Sequence, residues 1–262
     1  MSAELERVLE GGVLRLTMNR PKVKNALAPD QRDEMIAALE EASADAEVRA
    51  VVISGAGGAF CSGADLSASR STGERRTGDV ARTIASGAQR LIAAVLDCEK
   101  PVIAAVDGVA AGIGAHLALA CDLVIASEDA RFIEVFVRRG LVPDGGGAYL
   151  LVRLIGPHKT KELAFFGGDV HANDALEMGL VNCVVPADQL EATASGWASK
   201  LASGPTRTIA LMKKLINDAH DVDRATAFMQ EAWAQEQNMT TDDAQEGLKA
   251  FAERRDPEFK GW

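Results

Sequence analysis

Two runs of small residues look suited to chemistry done by main chain: GAGGAFCSGADL at 55–66 and DGVAAGIGAH at 107–116. Each follows an apolar run, around 49–54 and at 102–106. Neither is a G-x-G-x-x-G turn leading a helix, and neither holds the Gly-Lys-Ser/Thr of a phosphate loop, so nicotinamide and nucleotide-triphosphate chemistry lose their main support. Ser62 is not in a G-x-S-x-G elbow, because Phe60 occupies the first glycine position. Small residues do let a ligand approach the backbone, and a helix starting near Gly112 would aim free N–H groups and a partial positive charge at its amino end. Two such loops facing each other would make a two-donor oxyanion site. The plainer reading is that small turns beside strands are packing devices.

The side chains offer fewer candidates. Asp144, directly before GGGAYLLVRL, suits a helix N-cap. His116 is a lone histidine in an apolar run, commonly a core or helix-surface residue with one hydrogen bond. Arg20, Lys22 and Lys24 form a basic cluster that could meet phosphates, or simply a solvated turn. Cys61, Cys98, Cys121 and Cys183 lack a C-x-x-C pair, and His116, His158, His171 and His220 lack metal-ligand spacing, so neither a disulfide framework nor a metal is expected.

The elements that must carry these residues follow from periodicity. VLRLTM (13–18), the run at 49–54, VIAAV (102–106) and LVIAS (123–127) read as strands. QRDEMIAALEEAS, VARTIASGAQRLIAAVLDC and AHLALACD read as helices between them, and the recurrence of strand, small-residue turn, helix and strand indicates an α/β class. The polar segment 67–79 reads as a mobile loop or lid edge. Beyond Gly145 the pattern is helical, with VNCVV (181–185) the one expected strand.

The chain has 262 residues, 47% of them hydrophobic, which is enough to bury a sizeable core in one domain. A formal charge of −10 disfavours nucleic acid or an anionic membrane as partner. Charged residues and glycines interrupt every long apolar run and the amino terminus has no signal pattern, so a cytoplasmic protein is expected.

Taken together, RPKVKNAL (20–27), GAGGAFCSGADL (55–66), KPVIAAVDGVAAGIGAHLALACDLVIAS (100–127), RRGLVPDGGGAYLLVRLIG (138–156) and DALEMGLVNCVVP (174–186) resemble the successive motifs of the enoyl-CoA hydratase/isomerase, or crotonase, superfamily. The resemblance implies a spiral of repeated ββα units over 1–200, with 201–262 a helical region for oligomerisation and CoA-site closure. It implies an acyl-CoA thioester as substrate, no separate cofactor, and a homotrimer or hexamer. The thioester oxygen would be held by the N–H groups of Ala64 and Ile113.

The same resemblance puts His116 and Phe136 where hydratases of the family carry two glutamates. Asp144 stands where several isomerases carry a catalytic aspartate, and the turn is most similar to those of ring-epoxyphenylacetyl-CoA and dienoyl-CoA isomerases. One carboxylate suffices for a 1,3-proton shift, and Phe136, Leu141, Val142 and Pro143 would give it apolar surroundings. The expected reaction is therefore isomerisation with Asp144 as acid/base, His116 being a further catalytic candidate that would orient a polar substrate or donate a proton. A hydratase using His116 or Glu134, or a noncatalytic acyl-CoA-binding protein, is the alternative. For CoA, the resemblance points to Lys22, Lys24, Ala26, Ser62, Asp65 and Leu66, with Phe251 and Lys260 closing a CoA site of the same or a neighbouring subunit.

Overall fold

The computed structural model describes residues 4–67 and 76–262; most of the expected loop at 67–79, residues 68–75, lies outside the described residues. In chain order the strands are β1 (Leu5–Glu10), β2 (Val13–Met18), β3 (Ala50–Gly55), β4 (Val102–Val106), β5 (Val109–Ala111), β6 (Leu123–Ser127), β7 (Arg131–Ile133), β8 (Asp169–His171) and β9 (Cys183–Val185). The helices are α1 (Pro29–Ala44), α2 (Asp79–Ile84), α3 (Arg90–Asp97), α4 (Ile113–Ala120), α5 (Gly147–Phe166), α6 (Ala172–Met178), α7 (Leu190–Ala202), α8 (Thr206–Asp218), α9 (Arg224–Asn238) and α10 (Asp242–Glu253). A π-helical turn, Ala85–Gln89, joins α2 to α3.

One sheet has the order β1-β2-β3-β4-β6-β9, with β1 antiparallel to β2 and the rest parallel. Its central strands β3, β4 and β6 read as largely continuous apolar runs because both faces are covered, while the edge strand β1, LERVLE, is mostly exposed and was not expected from the sequence. Val51, Ile53, Val102, Ala104 and Val124 point into one core, while Ala50, Val52, Ile103, Ala105 and Ile125 point into a second. Helix α7 closes that second face with Leu190, Ala194, Ala198 and Ala202, a ladder of small side chains at helical spacing that lets it lie close to the strands. Each fully buried valine or isoleucine contributes about 1.5–3 kcal/mol.

A second layer runs beside the first. It holds β5-β7-β8 and is extended by parallel bridges from Leu27 to Ala64 and from Cys61 to Ala110. Successive passes of the chain thus contribute to both layers: β2 with Leu27, β3 with Cys61–Ala64, β4 with β5, and β6 with β7, the first three each leading into helix. This is the repeated ββα architecture expected from the sequence. Strand β8 corrects the expectation of a single strand beyond residue 145. Its three residues bury only Val170 between Asp169 and His171, too short a run to show a period of two. Helix α5 is broken at Gly156, where φ is 73°, with Pro157 following.

Every residue of α4 is buried. It lies against β4, β5, α3 and α5, as an eight-residue helix apolar on all sides must. What its amino end offers is the free main-chain N–H groups of a helix start.

Candidate active site

Ile113 is the first residue of α4, and its N–H has no acceptor among the described residues. Gly112 sets this end with φ 53° and ψ −124°, a conformation that a side chain would strain and for which Val135 leaves little room. On the neighbouring strand, Leu27 N–H donates to Gly63 O at 2.8 Å and Asp65 N–H to Leu27 O at 3.0 Å. Strand alternation therefore turns the Ala64 N–H to the opposite side, toward β5 and α4, where it too has no acceptor among the described residues. The two loops are pressed together at Gly114, where any Cβ would overlap the Cys61 carbonyl. Two main-chain donors without acceptors among the described residues thus come from adjacent, tightly packed segments. Ala64 is exposed and Ile113 is buried, so one donor borders solvent and the other the core.

Asp144 is half-buried and has no hydrogen bond or ion pair among the described residues. It is not the helix cap; that place belongs to Gly146, with no side-chain cap bond. The next residue, Gly145, packs on Ile113 Cδ1 and His116 Nδ1, which ties Asp144 to the donor end of α4. The expected apolar surroundings are only partly present: Phe136 is buried, but Leu141 and Val142 face solvent, Val142 with 78% of its surface exposed.

His116 does not face solvent at all. Its Nε2 lies 3.1 and 3.2 Å from the two carboxylate oxygens of Glu134, its ring stacks on Phe136 at 5.3 Å, and its Nδ1 has no partner. Glu134 is itself 5% exposed, so neither member of the pair borders open space.

The CoA candidates fall into two groups. Lys22 and Lys24 are exposed on the turn at 20–25, and Ser62 is bound to that turn through its N–H to Lys24 O and its hydroxyl to Val23 O. Ala26 is half-buried and Leu66 exposed beside them. Asp65 accepts from Ser67 and pairs with Arg20 at 2.9 Å; the Ser67 hydroxyl, then Arg20, hold its carboxyl below the usual range. Arg20, expected among the phosphate candidates, is instead committed to Asp65, Glu4 and the Ala26 carbonyl. Phe251 and Lys260 belong to α10 and the tail after it. The tail is held by Asp243, which accepts from the N–H groups of Lys260 and Gly261. Among the described residues, no hydrogen bond or ion pair joins either of them to the first group.

Sequence reasoning missed Asn25. Fully buried, it accepts from Arg20 N–H and donates to Ala56 O and Ala59 O, fastening the basic turn to the donor loop. The available signal was an asparagine at the end of a turn, a residue that tolerates the left-handed backbone it adopts at φ 56°. A cavity of about 410 Å³ bordered by Lys24, Gly58, Gly108, Arg131 and His171 lies at the start of β5 and β7, the end of the small sheet opposite Ile113. Among the described residues, no group of three His, Cys, Asp or Glu could hold a metal ion, and no helix is long and apolar enough to cross a membrane.

A model of the family described as enoyl-CoA hydratase/isomerase matches residues 9–262. The chain is 35% identical over 253 residues to 1,2-epoxyphenylacetyl-CoA isomerase of Escherichia coli (strain K12), with 97% of each chain covered. It is 38% identical over 261 residues to short-chain-enoyl-CoA hydratase of Clostridium acetobutylicum, covering 96% of this chain and 97% of that one. Among solved structures, an enoyl-CoA hydratase from Bacillus anthracis superposes with a TM-score of 0.91 at 34% identity, covering 99% of this chain and all of that one. A family model spanning nearly the whole chain and full-length relatives in this range of identity establish that the protein belongs to the enoyl-CoA hydratase/isomerase, or crotonase, family of acyl-CoA enzymes.

Proposed function

We propose that the protein isomerises an enoyl-CoA through an enolate. The observation that carries this reading is the division of labour between two carboxylates: Glu134 is engaged by His116 behind the site, while Asp144 is unpaired among the described residues and adjoins the donor end of α4. Asp144 removes the proton alpha to the thioester, the Ala64 and Ile113 N–H groups stabilise the resulting oxyanion, and the same carboxylic acid returns the proton at the gamma carbon. Each donor is worth about 2.7–4 kcal/mol at the transition state, and positioned proton transfer contributes about 10²–10⁴-fold. The coenzyme A moiety is part of the substrate, and the reaction needs neither metal nor redox cofactor. Lys22, Lys24, Ala26, Ser62, Asp65 and Leu66 border its path.

Exposed Phe228, Trp233, Leu248 and Phe251 on α9 and α10 fit a trimer or a pair of trimers, in which Phe251 and Lys260 close a neighbour's CoA site. Sedimentation would check the assembly.

Hydration is the second reading, favoured by the hydratase name of one relative. Wild-type protein and Asp144→Asn, incubated in deuterated water with matched 3-enoyl-CoA and 2-enoyl-CoA thioesters, separate the two. Double-bond migration with deuterium uptake, lost in the variant, is the expected result. Hydration of the 2-enoyl substrate by both proteins without migration would move the assignment to a hydratase.

A further inference from the structure

Little of its own holds the turn that carries Asp144. Residues 141–146 belong to no helix or strand, and Leu141 and Val142 point outward. The turn rests on the Ile113 and Ile92 side chains and on the His116 ring, the one polar group among these supports. A Cβ at Gly145 would stand 3.2 Å from His116 Nδ1, and one at Gly147 would overlap the ring itself. The turn can approach α4 this closely only with glycine on both sides of its contact.

The ring is fixed from behind. Both Glu134 oxygens lie within hydrogen-bond distance of Nε2, and the Phe136 ring stacks on the imidazole at an interplanar angle of 13°. Glu134 has no other side-chain partner among the described residues. A buried carboxylate is tolerated only where something satisfies it, and here that group is His116. With Nε2 engaged by the carboxylate, Nδ1 is the unpartnered nitrogen and faces Gly145.

We infer that Glu134 and His116 act as a positioning pair that sets the Asp144 turn in register with the Ile113 N–H. The inference rests on the reading of Asp144 as the base. Neither residue touches substrate; Glu134 orients the imidazole, and the imidazole sets the height of the turn. A displacement of about 1 Å in a reacting group can lower a rate about 10²-fold, so a pair with no exposed surface can still govern turnover.

The test compares Glu134→Met, which keeps volume but removes the acceptor, with Glu134→Gln, whose amide oxygen still accepts from Nε2, and with Asp144→Asn. Double-bond migration of a 3-enoyl-CoA gives kcat and KM, and calorimetry with a saturated acyl-CoA gives affinity. Glu134→Met is expected to lower kcat about tenfold or more with KM and affinity within about twofold of wild type, and Glu134→Gln to recover most of the rate. Wild-type kcat in Glu134→Met, or a parallel loss of kcat and affinity in both Glu134 variants, overturns the inference. Should Glu134→Met not fold, the double variant His116→Phe/Glu134→Met leaves no orphaned polar group and is judged by the same split. If Asp144→Asn turns over normally, the base assignment itself fails; if it is inactive while Glu134→Met is unaffected, only the positioning role fails.

Discussion

The donor loops and the C-terminal helices solve opposite problems. Around Ala64 and Ile113, small residues bring backbone segments into contact, and almost every position is fixed by main-chain bonds or by a side chain that grips main chain. In α8, α9 and α10 large apolar side chains face outward, Phe251 with 85% of its surface exposed, and a few buried polar groups hold the helices to the rest. Lys213 of α8 is the main one, reaching Asp122 at 2.9 Å together with the carbonyls of Val95 and Lys100. Arg49 and Asp243 hold the tail in the same way. Where atoms must be placed for chemistry, the fold uses many weak constraints on the backbone; where a surface must stay open, it uses a few strong side-chain anchors.

The sharpest way to break the comparison is at the chemistry. Asp144→Asn is expected to lower the migration rate about 10²–10⁴-fold with an unchanged melting curve, since the side chain has no partner to lose among the described residues. Lys213→Met attacks the other region. It strands Asp122, whose carboxyl burial already pushes above its ordinary range, and the expected loss is about 3–5 kcal/mol, read by chemical denaturation. Gly114→Ala forces the donor loops apart and should lower kcat about 10²-fold or more, with a stability loss of about 1–3 kcal/mol. Phe251→Ser, by contrast, should shift protomer stability by no more than about 0.5 kcal/mol, its effect appearing in sedimentation. The smallest signal is chemical: burial pushes the Cys61 thiol up to about 11, so at pH 8 iodoacetamide should label the less buried Cys183 well before Cys61.

The centre of the large sheet was legible because strands buried on both faces leave unbroken apolar runs, and VIAAV and LVIAS coincide with β4 and β6 to the residue, whereas the mostly exposed edge strand β1 carries no such run and was missed. The small sheet was not legible. Strands β5, β7 and β8 have three residues each, and β5 lies inside what reads as a glycine-rich turn. In the site, the two loops stood out as runs of glycine and small residues, whereas Asp144 read locally as a helix cap and drew its catalytic role from the family resemblance alone. The pairing of His116 with Glu134 could not be picked out, since 18 residues separate them and only the passage of β6 and β7 brings them together. Arg20 was misjudged for a related reason. A basic residue in a turn looks available until the acidic residue that claims it, here Asp65, is seen across the fold.

Asn25 has a consequence of a different kind. Its amide clasps the turn bearing Lys22 and Lys24 to the loop that leads into Cys61–Ala64, so the two move as a single bracket. On the proposed function, a handle for the far end of a long ligand is then rigidly coupled to the tool at its reactive end. Such a part can be fitted with many different acyl pockets while its own dimensions stay fixed, because the interval from grip to tool is set by one amide and not by the ligand's variable half.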